Sequence, residues 1–455
     1  MREEVIKEAA QLFELVQTVP PENPNKLFAE HLKIREVLAK ISAEQDPFLR
    51  NKDRSTKLEA FLEWAKTANI KMDNVEIRKS EKGFGLFAKT DLAKDGYAVE
   101  VPRPAVMTPD SNRINKGLRE LFLTDRLIQS VENCPMVLLL AHEVLDPKSA
   151  WKPYLDMLPD DVGGPLSMSN EDLLALKPSS TFIVALQFFR CIVRHYVYFL
   201  LMINTRENTK HVTKAGGDSM RKTVFTVKNF SFEMYAWCTS IVTSRVNKIP
   251  NLIQNSKRTI TSPALIPVMD FANYEFIGDA NAAQTEDCLI YSGFVPAIEN
   301  PINFFELRLG FPKNTQPWKI ILAQRMRMLG PREMGTTFPV HPSTFHSHQL
   351  NDIAFWRFAK LFVANSDSDI NRRSNVIKAR DFLLQRFQLF LESFKDLPPT
   401  EPEGTLTVKS VWRLKNAEKK ILEDLVKYFQ QPVEEVIKSN GPVLDDEPIL
   451  SNTEV

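Results

Sequence analysis

Glycine is scarce in this chain, with 15 in 455 residues against an average usage of about 7%. A dinucleotide fingerprint or a phosphate loop needs glycines at fixed spacing before a helix, and that pattern is missing. Gly83 and Gly85 stand one residue apart in "EKGFGLFAKTDL" (81–92), but Lys89 occupies about the region where a third glycine belongs. No helical pattern follows, so the pair reads as a bend between two short strands. Cysteine is scarce as well. Cys134, Cys191, Cys238 and Cys288 lie far apart, with no CxxC pair and no histidine at zinc-ligand spacing, which excludes a disulfide framework and predicts reduced thiols in a cytoplasmic or nuclear protein. Neither charge sign dominates: 58 Lys and Arg face 57 Asp and Glu, so nothing calls for nucleic acid or an anionic membrane as partner. A GxSxG nucleophile turn is absent too.

Long apolar runs are limited to one, "TFIVALQFFRCIVRHYVYFLLMI" (181–203), with Arg190, Arg194 and His195 near its middle. Charges there disfavour a membrane span and predict a buried helix. The first residues, "MREEVIKEAAQLFELV", are charged and amphipathic rather than continuously apolar, so no leader is expected.

What is present predicts two or three domains. Val5, Ala9, Leu12, Phe13 and Val16 recur at helical spacing, and similar patterns make residues 1–74 a helical region. From Val75 the text turns to short alternating pieces, "VEIRKS", "GFGLFAKT" and "YAVEVPRPAVMT", which read as strands. This β-rich part spans 75–295, with a helical insert at about 111–235. "NFFELRLGF" from Asn303 reads as one more strand. Helices then dominate, with Leu383, Phe387, Phe390, Leu391 and Phe394 on one face and Val411, Leu414, Ile421, Leu425 and Tyr428 on another. A helical domain at 296–440 and a polar tail at 441–455 complete the layout.

One stretch has local chemistry of its own. "ALIPVMDFANYEF" is an apolar run ending in Asp270, Asn273 and Tyr274, where an acid and an amide at the end of a buried strand need a partner. That partner is either the turn itself or a ligand. The histidines of "HPSTFHSH" (341–348) lie in a polar loop, where a surface role and a metal role both stay open.

Taken in order, "GFGLFAKTDL", "VPRPAVMT", "WKPYLDMLP", "SRVNKIP" and "LIPVMDFANYE" resemble the SET-domain protein methyltransferases, in the branch of the Rubisco large-subunit lysine methyltransferase. The likeness runs from about Val75 to about Leu309. It implies an α+β fold, a SET β core with a helical insert followed by a helical substrate-binding domain, and S-adenosylmethionine as cofactor. It further implies that Gly83, Gly85, Phe87, Arg245, Asp270, Phe271, Ala272, Asn273, Tyr274 and Ser292 lie at the cofactor, with no metal. Asn247 stands where histidine-modifying members carry asparagine and lysine-modifying ones an aromatic, which implies protein histidine, on actin or a similar target, as acceptor and a monomeric enzyme. Imidazole, with a pKa of about 6.5, is mostly neutral at pH 7, so orientation matters more than deprotonation.

Three departures cut against full activity. The branch's asparagine-histidine pair reads Asn273-Tyr274, and Phe87 replaces an arginine at the cofactor. The "Gly-Glu-x-x-Tyr-x-x-Tyr-Gly" motif, whose last tyrosine lies at the methyl-transfer channel in that branch, is absent, with only 18 residues between Asn273 and Ser292. The text reads as though a segment before Ile290 were missing, and no catalytic residue is matched. An impaired methyltransferase and an inactive relative retaining peptide or actin binding are the two expectations.

Overall fold

The computed structural model describes residues 2–50, 53–80, 83–94, 96–208, 217–252, 260–272, 284–297, 300, 302–341 and 349–445. It divides into two compact units. The first holds residues up to 174, 181–275 and 287–294; the second holds 175–180, 276–286 and 295 onward.

In the first unit the principal helices are α1 (Glu3–Gln17), α2 (Pro24–Ser42), α3 (Leu58–Thr67), α4 (Cys134–Leu145), α5 (Thr181–Asn208) and α6 (Phe232–Arg245). The start of α2 is set by Asn23, whose side chain accepts from the amides of Asn25 and Lys26, satisfying donors that have no partner inside the helix. Helix α5 is long and apolar enough to cross a membrane by length and composition. In this unit Ala185, Leu186, Phe189, Val193, Val197 and Leu200 along it are buried in the core. The arginine in its middle explains how an apolar run keeps a charge. Arg190 Nε donates to Glu30 at 2.6 Å, and its other nitrogens donate to the carbonyls of Leu15, Val16 and Thr18. One guanidinium therefore caps the C-terminal carbonyls of α1 and neutralises a carboxylate of α2.

Strands in this unit are few and short. β1 (Val75–Ser80) pairs antiparallel with β2 (Gly83–Ala88), and β3 (Asn247–Pro250) pairs antiparallel with β4 (Thr261–Ala264). "YAVEVPRPAVMT", expected as a strand, is not one. It makes single bridges at Glu100 and Met107 around a 3-10 turn at Arg103–Ala105, because Pro102 and Pro104 have no N–H to donate to a ladder. Helix α5 continues past the apolar run to Asn208, and a further helical turn occupies Gly217–Arg221.

In the second unit β5 (Phe305–Gly310) pairs antiparallel with β6 (Gly335–Val340). The first was expected; the second was not, because "GTTFPV" lacks apolar alternation and carries Pro339. A two-stranded sheet tolerates that proline. Helices α7 (Pro317–Arg325), α8 (Ala354–Val363), α9 (Arg373–Glu392), α10 (Leu406–Phe429) and α11 (Val433–Asn440) surround a core containing Trp356, Leu383, Phe387, Leu425 and Phe429. The Phe387 and Phe429 rings stack at 5.7 Å.

The buried ion pair yields a prediction. Glu30 and Arg190 side chains are 13% and 8% exposed, so Arg190→Met takes from the Glu30 carboxylate its cation and from the carbonyls of Leu15, Val16 and Thr18 the guanidinium donors. The expected loss is about 3–5 kcal/mol in denaturant unfolding, and Glu30→Gln in addition should recover part of it. A loss below 1 kcal/mol would show that the guanidinium carries no such role.

Candidate functional site

The glycine hairpin is built by its register. Val75 and Ile77 on β1 are buried and share a face with Phe84 and Leu86 of β2, while Glu76 and Arg78 share the other with Gly85 and Phe87. Gly83 opens β2 at φ +104, a conformation that side-chain-bearing residues rarely adopt. Arg54 packs here. A Cβ on Gly83 would lie 3.4 Å from Arg54 Nη2, and the guanidinium sits 5.3 Å from the centre of the Phe84 ring. It is held from behind by donating through Nη1 to the Met157 carbonyl at 3.2 Å. Phe87 faces away from this group and stacks under Arg78 at 4.5 Å.

Helix α6 begins at a Ser231 cap, whose hydroxyl accepts from the Met234 amide, and ends at Arg245. Asn247, the first residue of β3, donates through Nδ2 to the Arg245 carbonyl at 3.0 Å, which fixes the turn between helix and strand. Beyond β4, Leu265 exchanges both backbone hydrogen bonds with Met107. Val268 then turns the chain at φ 74 while fully buried, a strained conformation for a β-branched residue. The strain delivers the 3-10 turn Met269–Phe271.

Asp270 in that turn accepts from the Tyr154 hydroxyl at 2.5 Å. Burial pushes its carboxyl up to about 6, with the charge of Arg245 and the Tyr154 hydrogen bond pulling the other way. Burial also lowers the Arg54 guanidinium, and the charge of Arg245 adds to this. The charge of Arg245 thus acts on both Arg54 and Asp270, and Arg54 lies beside the glycine turn. A guanidinium next to backbone that carries no side chain, with a second cation acting on it, suits an anionic group.

Of the expected set, the structure brings Arg245 together with Asp270, whose turn packs against β2, the strand carrying Gly83 and Gly85. Phe271 is buried on Phe61 at 5.8 Å, and Ala272 ends the turn. Asn273 and Tyr274 lie outside the described residues, as do all but the first residue of the histidine loop. Ser292 closes a π-helical turn, Cys288–Ser292. Gly293 after it packs so closely on Gly163 that a Cβ there would meet the Gly293 carbonyl at 2.4 Å. Ser292 is thus placed by a glycine contact, with no bond to Arg245 or Asp270. Among the described residues no group of three or more His, Cys, Asp or Glu is arranged to hold a metal.

Two site residues escaped the sequence reading. Tyr154 sits inside "WKPYLDMLP", a stretch noted for its resemblance without a role for the phenol. Arg54 lies in the charged run "RNKDRSTK", where nothing local distinguishes it from a solvated arginine.

No family model matches the chain. It is similar to the actin-histidine N-methyltransferase of Danio rerio, 27% identical over 274 residues, which is 60% of this chain and 43% of that protein. The Mus musculus protein of the same name is 28% identical over 258 residues, 56% of this chain and 41% of that protein. The matched stretch thus spans about two fifths of these relatives. Among solved structures, the SET domain of LSMT bound to lysine and AdoHcy aligns with a TM-score of 0.60 and 14% identity, over 84% of this chain and 93% of that one. Rubisco LSMT bound to AdoMet gives 0.57 at the same identity and coverage. The fold is α+β of the SET-domain type, as expected.

The Asp270 carboxyl has a testable sign. Its folded pKa, about 6, lies above the ordinary 3.8, so the folded state holds the proton more tightly. The stability this gives is full below about pH 4 and is lost as pH rises through 6. The unfolding free energy of the wild type minus that of Asp270→Asn should therefore fall between pH 4 and 6 and level off above. A rise over that window would mean that the Tyr154 bond and Arg245 outweigh burial.

Proposed function

We propose that this chain is an S-adenosylmethionine-dependent protein methyltransferase of the SET type, acting on a histidine of actin or a similar protein. The observation that supports it most is the Asp270 turn, under the charge of Arg245, packed against the glycine strand that Arg54 also touches, in a fold shared with methyltransferases. The residues fit the cofactor: the two guanidinium groups would hold its carboxylate, and the bare backbone around Gly83–Gly85 admits close approach. When bound, the cofactor supplies an electrophilic methyl on a sulfonium for in-line displacement.

The chain's own task is to position a neutral nitrogen. Asn247 has its amide nitrogen committed to the Arg245 carbonyl, so its side-chain oxygen is the atom offered to an imidazole N–H. That contact selects the tautomer whose other ring nitrogen is free to attack. The Tyr154–Asp270 hydrogen bond holds the turn that carries this wall of the site. Localisation in the cytoplasm or nucleus and a monomeric state belong to the same reading.

Turnover is expected to be slow, because the tyrosine motif that would orient the acceptor is absent from the sequence. Positioning is worth roughly 7–11 kcal/mol in favourable cases, so even partial loss costs orders of magnitude. Two measurements check this. Calorimetric titration with S-adenosylmethionine should show weak binding that Arg245→Ala weakens by a further ten- to hundredfold, on the order of 1.5–3 kcal/mol. Equal binding by both would remove Arg245 from the site. Methyl transfer to an actin-derived histidine peptide, read by mass spectrometry, should rise by orders of magnitude when a hairpin bearing the Tyr-Gly motif is inserted between Leu289 and Ile290. Comparable turnover with and without it would defeat the impaired reading, and peptide binding without turnover by either would favour the inactive relative.

A further inference from the structure

One stretch of the second unit departs from the even charge balance of the chain. Residues 307–332 hold Arg308, Lys313, Lys319, Arg325, Arg327 and Arg332, with no Asp or Glu among them. Lys319 is engaged, since its ammonium donates to the Phe362 carbonyl at 2.7 Å. The other five are exposed, and among the described residues none of them has a carboxylate partner. Of the two acids bordering the stretch, Glu306 and Glu333, the second accepts from the Gly330 amide at 2.8 Å.

The fold gathers these cations around one end of the β5–β6 hairpin. Along β5 buried Phe305, Leu307 and Leu309 alternate with exposed Glu306, Arg308 and Gly310, so Arg308 stands on the outer face, opposite Thr337. Gly310 and Gly335 come next as a directly paired couple without side chains. Just past them the Phe311 amide donates to the Met334 carbonyl at 2.6 Å, which puts Lys313 and Arg332 two residues out on either side of that bond. Helix α7 leads to the same place. It ends at Arg325, the Met328 amide donates back to the Ala323 carbonyl at 2.9 Å, and Gln324 Nε2 donates to the Gly330 carbonyl at 3.4 Å. Met328 and Leu329 are buried, while Arg327 stays outside on the turn. Arg327 and Arg332 stand at φ 58 and 69, where glycine or asparagine is accommodated at lower cost. The turns themselves do not call for arginine.

We propose that this face is a docking surface for a carboxylate-rich segment of a partner protein. Four of the five cations are arginines, whose planar forks match carboxylates with two parallel hydrogen bonds. The bare Gly310–Gly335 couple lets an extended acidic chain lie close to the sheet, between Arg308 and the Lys313–Arg332 end. A nucleic acid would add base stacking on exposed aromatic rings, but Phe311 is buried and Trp318 is half-buried beside the Lys319 ammonium at 5.6 Å. An anionic membrane would draw on several exposed apolar side chains, and in this stretch Ile321 is the one large apolar residue that is exposed. The surface uses no residue of the cofactor site and stands apart from the methyltransferase reading.

Fluorescence anisotropy of the full chain tests this with labelled hexaglutamate, hexalysine, a single-stranded DNA oligonucleotide and vesicles containing phosphatidylserine. Hexaglutamate should bind saturably at about 50 mM salt and about tenfold more weakly at about 300 mM, because exposed charges are screened. Hexalysine should not bind. Arg308→Thr, Lys313→Ala and Arg325→Ala together should weaken hexaglutamate binding about tenfold. Lys7→Ala, Lys26→Ala and Lys33→Ala, which remove the same charge from exposed positions of α1 and α2, should leave it unchanged. A second variant, Arg327→Asn with Arg332→Asn, keeps residues that tolerate positive φ and should weaken binding severalfold. Absence of saturable hexaglutamate binding at low salt, equal weakening by the α1–α2 variant, binding unchanged in both hairpin variants, or tighter binding of the oligonucleotide or the vesicles would each overturn the proposal.

Discussion

A half-buried carboxyl group ties the first unit together. Asp270 is only partly open to water, and its surroundings make that position tolerable: a phenol from Tyr154 at 2.5 Å, the charge of Arg245 at the end of α6, and a chain reversal at Val268. Each contribution comes from a different segment. The carboxylate therefore ties together the "WKPYLDMLP" stretch, the end of α6 and the β4 exit, and the glycine hairpin packs against the result. Loss of one partner would leave a half-buried acid without its hydrogen bond or its opposing charge.

The strain at Val268 belongs to the same arrangement. A fully buried β-branched residue at φ 74 costs on the order of 1–3 kcal/mol, and it persists because Leu265 is pinned to Met107 on one side and Phe271 to Phe61 on the other. Strain of this kind collects where side chains must be held in a geometry that ordinary strands do not provide. The guanidinium of Arg190 shows the opposite economy, since a single group satisfies three carbonyls and a carboxylate without any backbone distortion.

Local chemistry was legible in the sequence where one segment contains its own reason. The short strands on either side of residue 81, the helical periodicities and the need of Asp270 for a partner all follow from short stretches, although Gly83 and Gly85 lie within β2 rather than in a bend between strands. What was not legible is pairing across distance. Tyr154 and Asp270 are 116 positions apart, and Arg190 lies 160 from Glu30; no spacing rule links them. Strand β6 was missed for a different reason, because Pro339 and two threonines hide its alternation. Arg54 was missed because its neighbours are charged and its partner is a glycine backbone. The ordered motifs gave the fold, since a series of weak signals in fixed order is more specific than any one. They could not supply the position of Ser292, which a Gly163–Gly293 contact decides.

The central claim is that the glycine hairpin and the Asp270 turn form one wall of a cofactor site. Hydrogen–deuterium exchange of the full chain with and without S-adenosylhomocysteine examines that wall directly, free of any requirement for turnover. The account predicts slowed exchange at the amides of Gly83–Gly85 and Phe271–Ala272, lost when Arg54 and Arg245 are both replaced by alanine. Unchanged exchange at both segments with saturating ligand, or protection confined to the second unit, would contradict it.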